Sequence, residues 1–282
     1  SSAYGVNEYY NAVFVSKTKP TMTEGTRPSP NAVLWEMYDD VKQDYKMKPV
    51  LTLAEVEAEQ GTFYFDGTKI YINPKNANNK FLVSESQKCL NISGKNVNLN
   101  DVEAKGFHVL GFDLNNIDNL VVNRVNVSHS GQYNGFNINY TNGVFNDCYA
   151  IKNRNDGFNM HYKGHTVLNN CHGWYNYDDG VSHHENCTGF INGGTWIGNG
   201  KGGISPVQDV EIAIQNAICE DNEWAIWNNT NSGVDTTYSN CLFKDNKNGI
   251  QLTTDGSVTL INCVEVGNGE DELASSDSVK RY

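Results

Sequence analysis

A short motif recurs along the second half of the chain, in which a glycine precedes an alternation of apolar and polar positions. In residues 134–139 and 156–161, the first and third residues after the glycine are apolar and the second and fourth are polar or charged. Side chains that alternate in this way lie on opposite faces of a β-strand, so each motif predicts a half-buried strand. The motif glycine, or the alanine in its place, stands at positions 111, 135, 157, 180, 203, 225 and 249, at intervals of 22 to 24 residues.

A series of cysteines keeps the same period. They stand at positions 148, 171, 219, 241 and 263, separated by 23, 48, 22 and 22 residues, and Thr195 fills the slot that the double interval leaves. Equal positions on stacked strands lie about 4.8 Å apart, whereas the Cβ atoms of a disulfide lie about 3.5–4.5 Å apart. We therefore expect buried free thiols, with disulfide or metal ligation as the alternative.

The period indicates the fold. A repeat of 22–24 residues that contains two or three short strands and sharp turns has the length of one coil of a right-handed parallel β-helix. A leucine-rich repeat has a similar length, but the sequence lacks its Leu-x-x-Leu-x-Leu consensus. We predict an all-β chain that forms a single-stranded right-handed parallel β-helix of about seven coils or slightly more, with Asn and Cys stacked in columns.

The chain divides into three predicted segments. Residues 1–80 form an N-terminal cap and hairpin region, residues 81–266 the β-helix, and residues 267–282 a C-terminal tail or cap. In the first segment we expect a short helix over residues 32–44 that covers the open end of the first coil. We also expect a hairpin over residues 62–72 that turns at Asp66 and Gly67.

Composition and charge exclude some partners. Mean hydropathy is −0.54 and no run of 18 apolar residues exists, so no membrane-spanning helix is predicted. Lys and Arg total 21 against 33 Asp and Glu, a net charge of −12. This charge opposes general binding to nucleic acid or to an anionic membrane surface.

The coils, together with the segment 61–72 (GTFYFDGTKIYI), resemble the pectate-lyase-like superfamily of right-handed parallel β-helices. The resemblance covers roughly residues 60–265. This superfamily includes polysaccharide lyases, glycoside hydrolases, mannuronan C-5 epimerases and phage tailspikes. Most members bind long carbohydrates in a groove outside one sheet. The resemblance implies a polysaccharide partner, an extracellular or virion location, and an oligomer as an option (a trimer for a tailspike).

Residues 177–185 (YDDGVSHHE) carry two closer resemblances. They resemble the Tyr-Gly-Phe-Asp-Pro-His-Glu motif of mannuronan epimerases, where alignment on the glycine puts His184 on the catalytic His and Glu185 on the Glu. Ser182 and His183 replace the Asp and Pro of that motif. Residues 178–180 also resemble the Asp-Asp-Gly of calcium-dependent pectate lyases, which implies Ca²⁺ as a cofactor.

The outward positions of neighbouring coils gather the side chains that could carry chemistry. His161 and His184 occupy equal positions about 4.8 Å apart, so each disfavours protonation of the other and one can act as a base. Asp156 and Asp179 form an acidic column with Asp178 beside it, which either binds Ca²⁺ or forms turns. The candidates are His161, Tyr162, Lys163, Asp179, His184 and Glu185 for catalysis; Asn137, Asn139, Arg154, Asn159, Ser182, Trp224 and Trp227 for substrate binding; and Asp156, Asp178 and Asp179 for calcium.

Two chemistries and one non-catalytic role stay open. A lyase or epimerase needs a base beside a uronate, for which His184 or His161 would serve, with Tyr162 as proton donor. A hydrolase needs a carboxylate pair, either Asp156 with Asp179 or Asp179 with Glu185. We expect a polysaccharide lyase or epimerase ahead of a hydrolase. The alternative is a phage-tail or cell-surface β-helix that binds glycan or acts as a spacer.

Overall fold

A computed structural model describes residues 6–8, 13–14, 33–37, 45–66, 70–75, 80–84, 88–107, 109–252, 254–273, 275 and 278–282. The chain forms two compact units. The first contains residues 1–88 and 106–109, and the second contains residues 89–105 and 110–282. Within the described residues, no helix is both long and apolar enough to cross a membrane.

The first unit contains short strands and a helix. Its described elements are β1 (Val6–Glu8), β2 (Val13–Phe14), β3 (Val33–Met37), β4 (Tyr45–Lys46), β5 (Lys48–Pro49), α1 (Leu53–Ala58), β6 (Thr62–Phe65), β7 (Ile70–Asn73) and β8 (Lys80–Ser84). They form two four-stranded sheets, ordered β1-β8-β3-β4 and β2-β7-β6-β5.

The helix expected over residues 32–44 is wrong where the structure describes it. Residues 33–37 form β3, which pairs antiparallel with β8 and β4. Cross-strand pairing on both sides here overrides the local helical pattern. The rest of that predicted helix lies outside the described residues.

The helix α1 begins at a capping box that the sequence analysis missed. Thr52 Oγ1 accepts a hydrogen bond from the Glu55 N–H at 3.3 Å, and the Glu55 carboxylate accepts one from the Leu51 N–H at 3.0 Å. The hairpin is confirmed, because β6 pairs antiparallel with β7 in the register Thr62↔Asn73. Part of its turn, residues 67–69, lies outside the described residues.

The chain from β9 to β34 is a right-handed parallel β-helix of about eight coils, which confirms the predicted fold class. Each complete coil contributes one strand to each of three sheets, here named A, B and C in the order in which the chain passes through them. From the second coil onward, neighbouring strands pair in parallel. Sheet A contains β9 (Lys88–Gly94), β12 (Leu110–Ile117), β15 (Phe136–Asn139), β18 (Phe158–His161), β21 (Val181–His183), β24 (Gly202–Gln208), β27 (Trp224–Thr230), β30 (Asn248–Leu252) and β33 (Glu272–Leu273).

Sheets B and C complete the coils. Sheet B contains β10 (Val97–Asn100), β13 (Leu120–Asn123), β16 (Asn142–Asn146), β19 (His165–Asn169), β22 (Thr188–Asn192), β25 (Glu211–Gln215), β28 (Asp235–Ser239), β31 (Ser257–Ile261) and β34 (Val279–Arg281). Sheet C contains β11 (Glu103–Phe107), β14 (Asn126–Ser130), β17 (Tyr149–Ile151), β20 (His172–Trp174), β23 (Thr195–Ile197), β26 (Ile218–Glu220), β29 (Leu242–Lys244) and β32 (Val264–Val266). The strands β33 and β34 extend sheets A and B into the segment after residue 266.

The apolar positions of the glycine motif form one column of the core. Sheet A registers Phe112 with Phe136 and Phe136 with Phe158, and the phenyl rings stack with centroids 5.3 and 4.8 Å apart. The column is buried throughout and consists of Phe112, Phe136, Phe158, Val181, Ile204, Ile226 and Ile250. The alternation that predicts an inward face is therefore confirmed, and the intervening side chains lie on the outer side of sheet A.

A ladder of asparagine side chains runs along the turn between sheets C and A. Each amide Nδ2 donates to the Oδ1 atom of the asparagine one coil further on, at 2.8–3.0 Å. The same Oδ1 atoms accept from backbone N–H groups, so these amides are hydrogen-bonded on both sides. The ladder consists of Asn153, Asn176, Asn199, Asn222, Asn246 and Asn268, and it confirms the predicted stacking of asparagine.

All seven cysteines have free thiols and five of them are buried, as expected. The predicted column is wrong at two positions, Thr195 and Cys219. Strand registry pairs Thr195 with His172 and Ile218, so Gly194 takes the column position there. It pairs Cys219 with Trp196 and Phe243, so Ala217 takes the next position, because it precedes Ile218 as Cys171 precedes His172. Coil lengths vary between 22 and 24 residues, so spacing alone cannot separate two positions that lie two residues apart.

Candidate active site on sheet A

Two groups of side chains lie at opposite ends of the same strands of sheet A. The carboxylate cluster, Asp156, Asp178 and Asp179, precedes β18 and β21. The imidazole cluster, His161, His184 and Glu185, follows at the other end of these strands. Asp156 precedes β18 and His161 is its last residue, so the two groups flank the same strand. The predicted site residues therefore form two groups, and the charge of Lys201 acts on both Asp179 and His184.

The carboxylate cluster is compact and mostly buried. One carboxylate oxygen from each of the three aspartates lies within 4.8 Å of the others. Asp156 and Asp179 are each 3% exposed, while the side chain of Asp178 is 33% exposed. Asp178 is therefore the carboxylate that a molecule in the groove can reach most easily.

Hydrogen bonds fix the orientation of Asp156. Its Oδ2 atom accepts from Ser182 Oγ at 2.8 Å and from Asn159 Nδ2 at 2.5 Å, and its Oδ1 atom accepts from the Asp179 N–H at 3.1 Å. Asp179 Oδ1 accepts in turn from the Gly202 N–H at 2.8 Å. Ser182 and Asn159, both predicted to bind substrate, are buried and hold Asp156 in place.

Burial and mutual repulsion favour the protonated forms of these acids. Burial, together with the charge of Asp178, raises the pKa of Asp156 to about 6. Burial and the charges of Asp156 and Asp178 raise the pKa of Asp179 well above its ordinary value. Like charges held this close cannot all ionise at low cost, so the cluster keeps a proton in conditions where an ordinary aspartate has lost it.

Lys201 belongs to this site, although the sequence analysis did not single it out. Its Nζ atom lies 3.5 Å from Asp178 Oδ1, 3.9 Å from Asp179 Oδ2 and 3.6 Å from the centroid of the Trp227 ring. Lys201 occupies the coil position equivalent to Asp178, 23 residues further on. That equivalence was visible in the repeat and could have placed it here.

The aromatic and cationic candidates for substrate binding lie around the carboxylates. Trp224 pairs with Gly202, which places it on the coil after Lys201, and Trp227 contacts Lys201 directly. The guanidinium of Arg154 lies 4.9 Å from the centroid of the Tyr177 ring, next to Asp178 in sequence. Of these side chains, Trp227 is tied to the cluster through its contact with Lys201.

The imidazole cluster has a different geometry. The rings of His161 and His184 stack with centroids 4.3 Å apart and planes 11° apart, and His161 Nδ1 lies 2.6 Å from Glu185 Oε2. Burial, followed by the charges of His161 and Lys201, lowers the pKa of His184 to about 3. His184 is therefore neutral at physiological pH, as the sequence predicted for one of the two histidines.

The other candidates at this end lie at the turn that leaves sheet A. The Tyr162 ring stacks on Tyr140, with centroids 4.9 Å apart, and lies 5.3 Å from the His161 ring. Lys163 is exposed beside them. Asn137 and Asn139 lie one coil earlier, in register with Asn159 and His161. Their Nδ2 atoms donate to Asp113 and Asn115 of the preceding coil, at 2.9 and 2.8 Å.

The spacing of the carboxylates shows whether they could bind the calcium ion that the resemblance to pectate lyases implies. Calcium binds oxygen ligands at about 2.3–2.6 Å, and the three aspartate oxygens are close enough together to share one ion. The ammonium group of Lys201, however, is already placed against Asp178 and Asp179. The oxygens of Asp156 already accept three hydrogen bonds. The residues present thus supply their own cation at the position that calcium would share.

Comparison with solved structures places this architecture among right-handed parallel β-helix proteins. The A-module of mannuronan C-5 epimerase AlgE4 from Azotobacter vinelandii aligns with a TM-score of 0.55 and 16% identity, over 67% of this chain and 64% of that module. The A-module of AlgE6 from the same organism aligns with a TM-score of 0.54 and 17% identity, over 67% and 63%. The chain thus spans just under two thirds of each module. The likeness at this identity is one of fold, and the fold is one that polysaccharide-modifying enzymes use.

Sequence comparisons add no closer relative. No protein-family model matches the chain, and no curated protein sequence matches it.

Proposed function

We propose that this protein hydrolyses a polysaccharide at the carboxylate cluster of sheet A. The observation that carries the proposal is the buried Asp156–Asp179 pair, which has raised pKa values, next to the more exposed Asp178. Hydrolysis of a glycosidic bond needs one carboxyl group that keeps its proton and one carboxylate that does not. This cluster contains both environments within 4.8 Å.

The environments of the three aspartates suggest their roles. Asp179 is the general acid and gives its proton to the leaving glycosidic oxygen. The short carboxylate spacing fits a retaining reaction, in which an Asp178 oxygen bonds to the anomeric carbon as the glycosidic bond breaks. Water that gives a proton to Asp179 then replaces Asp178 at that carbon. Asp156 accepts a hydrogen bond from the Asp179 N–H, and the charge of Asp156 raises the pKa of Asp179. It thereby keeps the acid protonated.

The surroundings suit a sugar chain that crosses the outer side of sheet A. Trp227 and Trp224 offer ring faces on which pyranose rings stack, and Arg154 can donate to hydroxyl or carboxylate groups. A polymeric glycan is in turn a substrate found at cell surfaces or around virions, which supports an extracellular or virion-associated role.

A lyase or epimerase reaction at the imidazole cluster is the second candidate. It is favoured by the 2.6 Å contact of His161 Nδ1 with Glu185, which orients Nε2 as a proton acceptor, and by Tyr162 next to it. We rank it second, which reverses the order that the sequence favoured. A histidine such as His184, with its pKa lowered to about 3, is a weak base for abstracting a proton from carbon.

The test is a product assay on a panel of neutral and acidic polysaccharides. Hydrolysis releases reducing ends without the ultraviolet absorbance of an unsaturated sugar, and Asp179→Asn should abolish the release while His184→Ala should not. An unsaturated product, or a change in uronate composition without cleavage, would instead support the imidazole cluster if His184→Ala or His161→Ala removed it. Reducing ends that persist in Asp179→Asn would overturn the proposed mechanism.

A further inference from the structure

Lys201 holds its ammonium group against two of the three carboxylates that could share a metal ion. Its Nζ atom is within 4 Å of an oxygen of Asp178 and an oxygen of Asp179. Its coil position is equivalent to that of Asp178, one coil further along the axis. The lysine stem therefore starts beside the cluster and needs only to extend along the helix axis to reach it.

Trp227 restricts the position of this ammonium group. The ring centroid lies 3.6 Å from Lys201 Nζ, well inside the distance at which a cation is attracted to the face of an indole. The side chain of Lys201 is 31% exposed, so its charge is partly withdrawn from water. A cation held between two carboxylates and an aromatic face has less freedom than an ordinary surface lysine.

The charges of the cluster require such a cation. Asp156 and Asp179 are almost fully buried, and buried carboxylates are costly unless a positive charge or several hydrogen-bond donors accompany them. The donors to Asp156 are Ser182, Asn159 and the Asp179 N–H. Asp178 and Asp179 have Lys201 as their nearby ammonium group.

We propose that Lys201 is the resident cation of the carboxylate cluster and replaces a divalent metal ion there. It acts as a positioning residue, because it holds Asp178 and Asp179 together without taking part in bond making. The inference concerns the same aspartates as the proposed function, but it does not depend on which reaction they carry out. A cluster that already holds a cation against two of its carboxylates needs no calcium to assemble.

The experiment measures calcium binding by isothermal titration calorimetry on the full chain, independently of any substrate. The wild-type protein should bind no Ca²⁺ at concentrations up to about 1 mM, the weak end of the range for protein calcium sites. Lys201→Met keeps the stem against Trp227 but removes the charge, and it should bind Ca²⁺ in that range. Adding Asp178→Asn to Lys201→Met should abolish the binding.

Two further variants keep the result interpretable. Lys201→Arg retains the charge and should behave like the wild type. Lys247→Met removes a lysine that pairs with Glu223 at 2.6 Å on the next coil, and it should not create a calcium site. If Lys201→Met does not fold, Lys201→Gln takes its place, and circular dichroism checks that each variant retains its β-structure.

The outcomes separate this inference from the proposed function. Calcium binding by the wild type that Asp178→Asn removes would overturn the inference, as would a folded Lys201→Met that binds no calcium. Either result would leave hydrolysis by the aspartates to be decided by the product assay. Conversely, a protein without hydrolase activity could still show the predicted gain of calcium binding in Lys201→Met.

Discussion

The two ends of sheet A solve the same electrostatic problem in opposite ways. Each end stacks ionisable side chains of one kind on adjacent coils, Asp156 with Asp179 at one end and His161 with His184 at the other. Burial, followed by the charges of neighbouring aspartates, raises the pKa of Asp156 and Asp179, so that end keeps a proton. Burial, followed by the charges of His161 and Lys201, lowers the pKa of His184, so that histidine is neutral. Burial of ionisable groups beside like charges therefore favours the neutral form at both ends.

The largest difference expected between the two ends is in catalysis. Asp179→Asn should reduce the rate of polysaccharide cleavage by about 10³-fold, within the range that a general acid contributes. His184→Ala should reduce it by less than about tenfold, because a group beyond the reacting atoms affects only geometry. The measurement is the initial rate of reducing-end release on the best substrate. Equal losses in the two variants would show that the ends act together as one site.

The next largest difference is in the pH dependence of stability. In the folded protein the pKa of Asp156 is raised from 3.8 to about 6. Ionised Asp156 therefore lowers the free energy of unfolding by up to about 3 kcal/mol above pH 6. This destabilisation disappears as the pH falls toward 3.8, where the carboxyl group is protonated in both states. The pKa of His184 is lowered from 6.5 to about 3. Between about pH 3 and pH 6.5, His184 is therefore protonated in the unfolded chain but neutral in the folded protein. It destabilises the fold at pH 5 but not at pH 7.5.

Urea denaturation at two pH values tests these signs. Asp156→Asn should gain stability relative to the wild type at pH 7.5 and much less at pH 4, whereas His184→Gln should gain at pH 5 and not at pH 7.5. Arg124→Met, which removes an exposed ion pair to Asp101, serves as a control for the loss of a charged side chain. A loss of stability in Asp156→Asn at pH 7.5 would contradict the raised pKa.

A smaller difference is expected in substrate binding. Trp227→Ala should raise KM by about tenfold, because one aromatic contact contributes about 0.5–1.5 kcal/mol. Tyr162→Ala, at the other end of sheet A, should leave KM within about threefold if the sugar chain contacts only the carboxylate end. A larger effect of Tyr162→Ala would show that the substrate extends over both clusters.

The smallest effect should come from the ion pair at the imidazole end. Glu185→Gln keeps a hydrogen-bond acceptor for His161 but removes its charge, and the expected loss is about 1 kcal/mol of unfolding free energy or less. The rate of cleavage should stay unchanged. Thermal and urea unfolding measure the change in stability, and the reducing-end assay measures the rate of cleavage. Loss of activity in Glu185→Gln would move the chemistry to the histidines.

The repeat made it possible to predict the fold and which side chains point into the core or out of it. Strict alternation placed Phe136 and Phe158 inside and Asn159 outside, and the period placed Asp156 and Asp179 in one column. The sequence could not show that strand length separates Asp156 from His161, because a repeat aligns residues between coils but gives no distances across a coil. Lys201 was missed because its column reads Asn155, Asp178 and Lys201 and repeats no residue type. The positive charge at this position is nevertheless what places Lys201 against the aspartates.

Where local patterns compete with pairing partners, prediction failed. Residues 33–37 have apolar positions compatible with a helix, but β8 and β4 bind this segment as a strand. Cys219 fits the spacing of the cysteine series, yet the varying coil length shifts it by two residues into another column. Strand pairing decides the first position and coil length the second, and the local sequence pattern shows neither.

The asparagine ladder has a consequence for how such a protein can change over evolutionary time. The side-chain amides of Asn153, Asn176, Asn199, Asn222 and Asn246 are buried and bond to one another and to the backbone, in the turn that precedes sheet A. Mutations on the outer side of sheet A can therefore replace aspartates, histidines or lysines while the asparagine hydrogen bonds that join the coils are kept. New specificities can arise by duplicating or rewriting single coils, in a molecule whose architecture and chemistry are encoded in separate sets of residues.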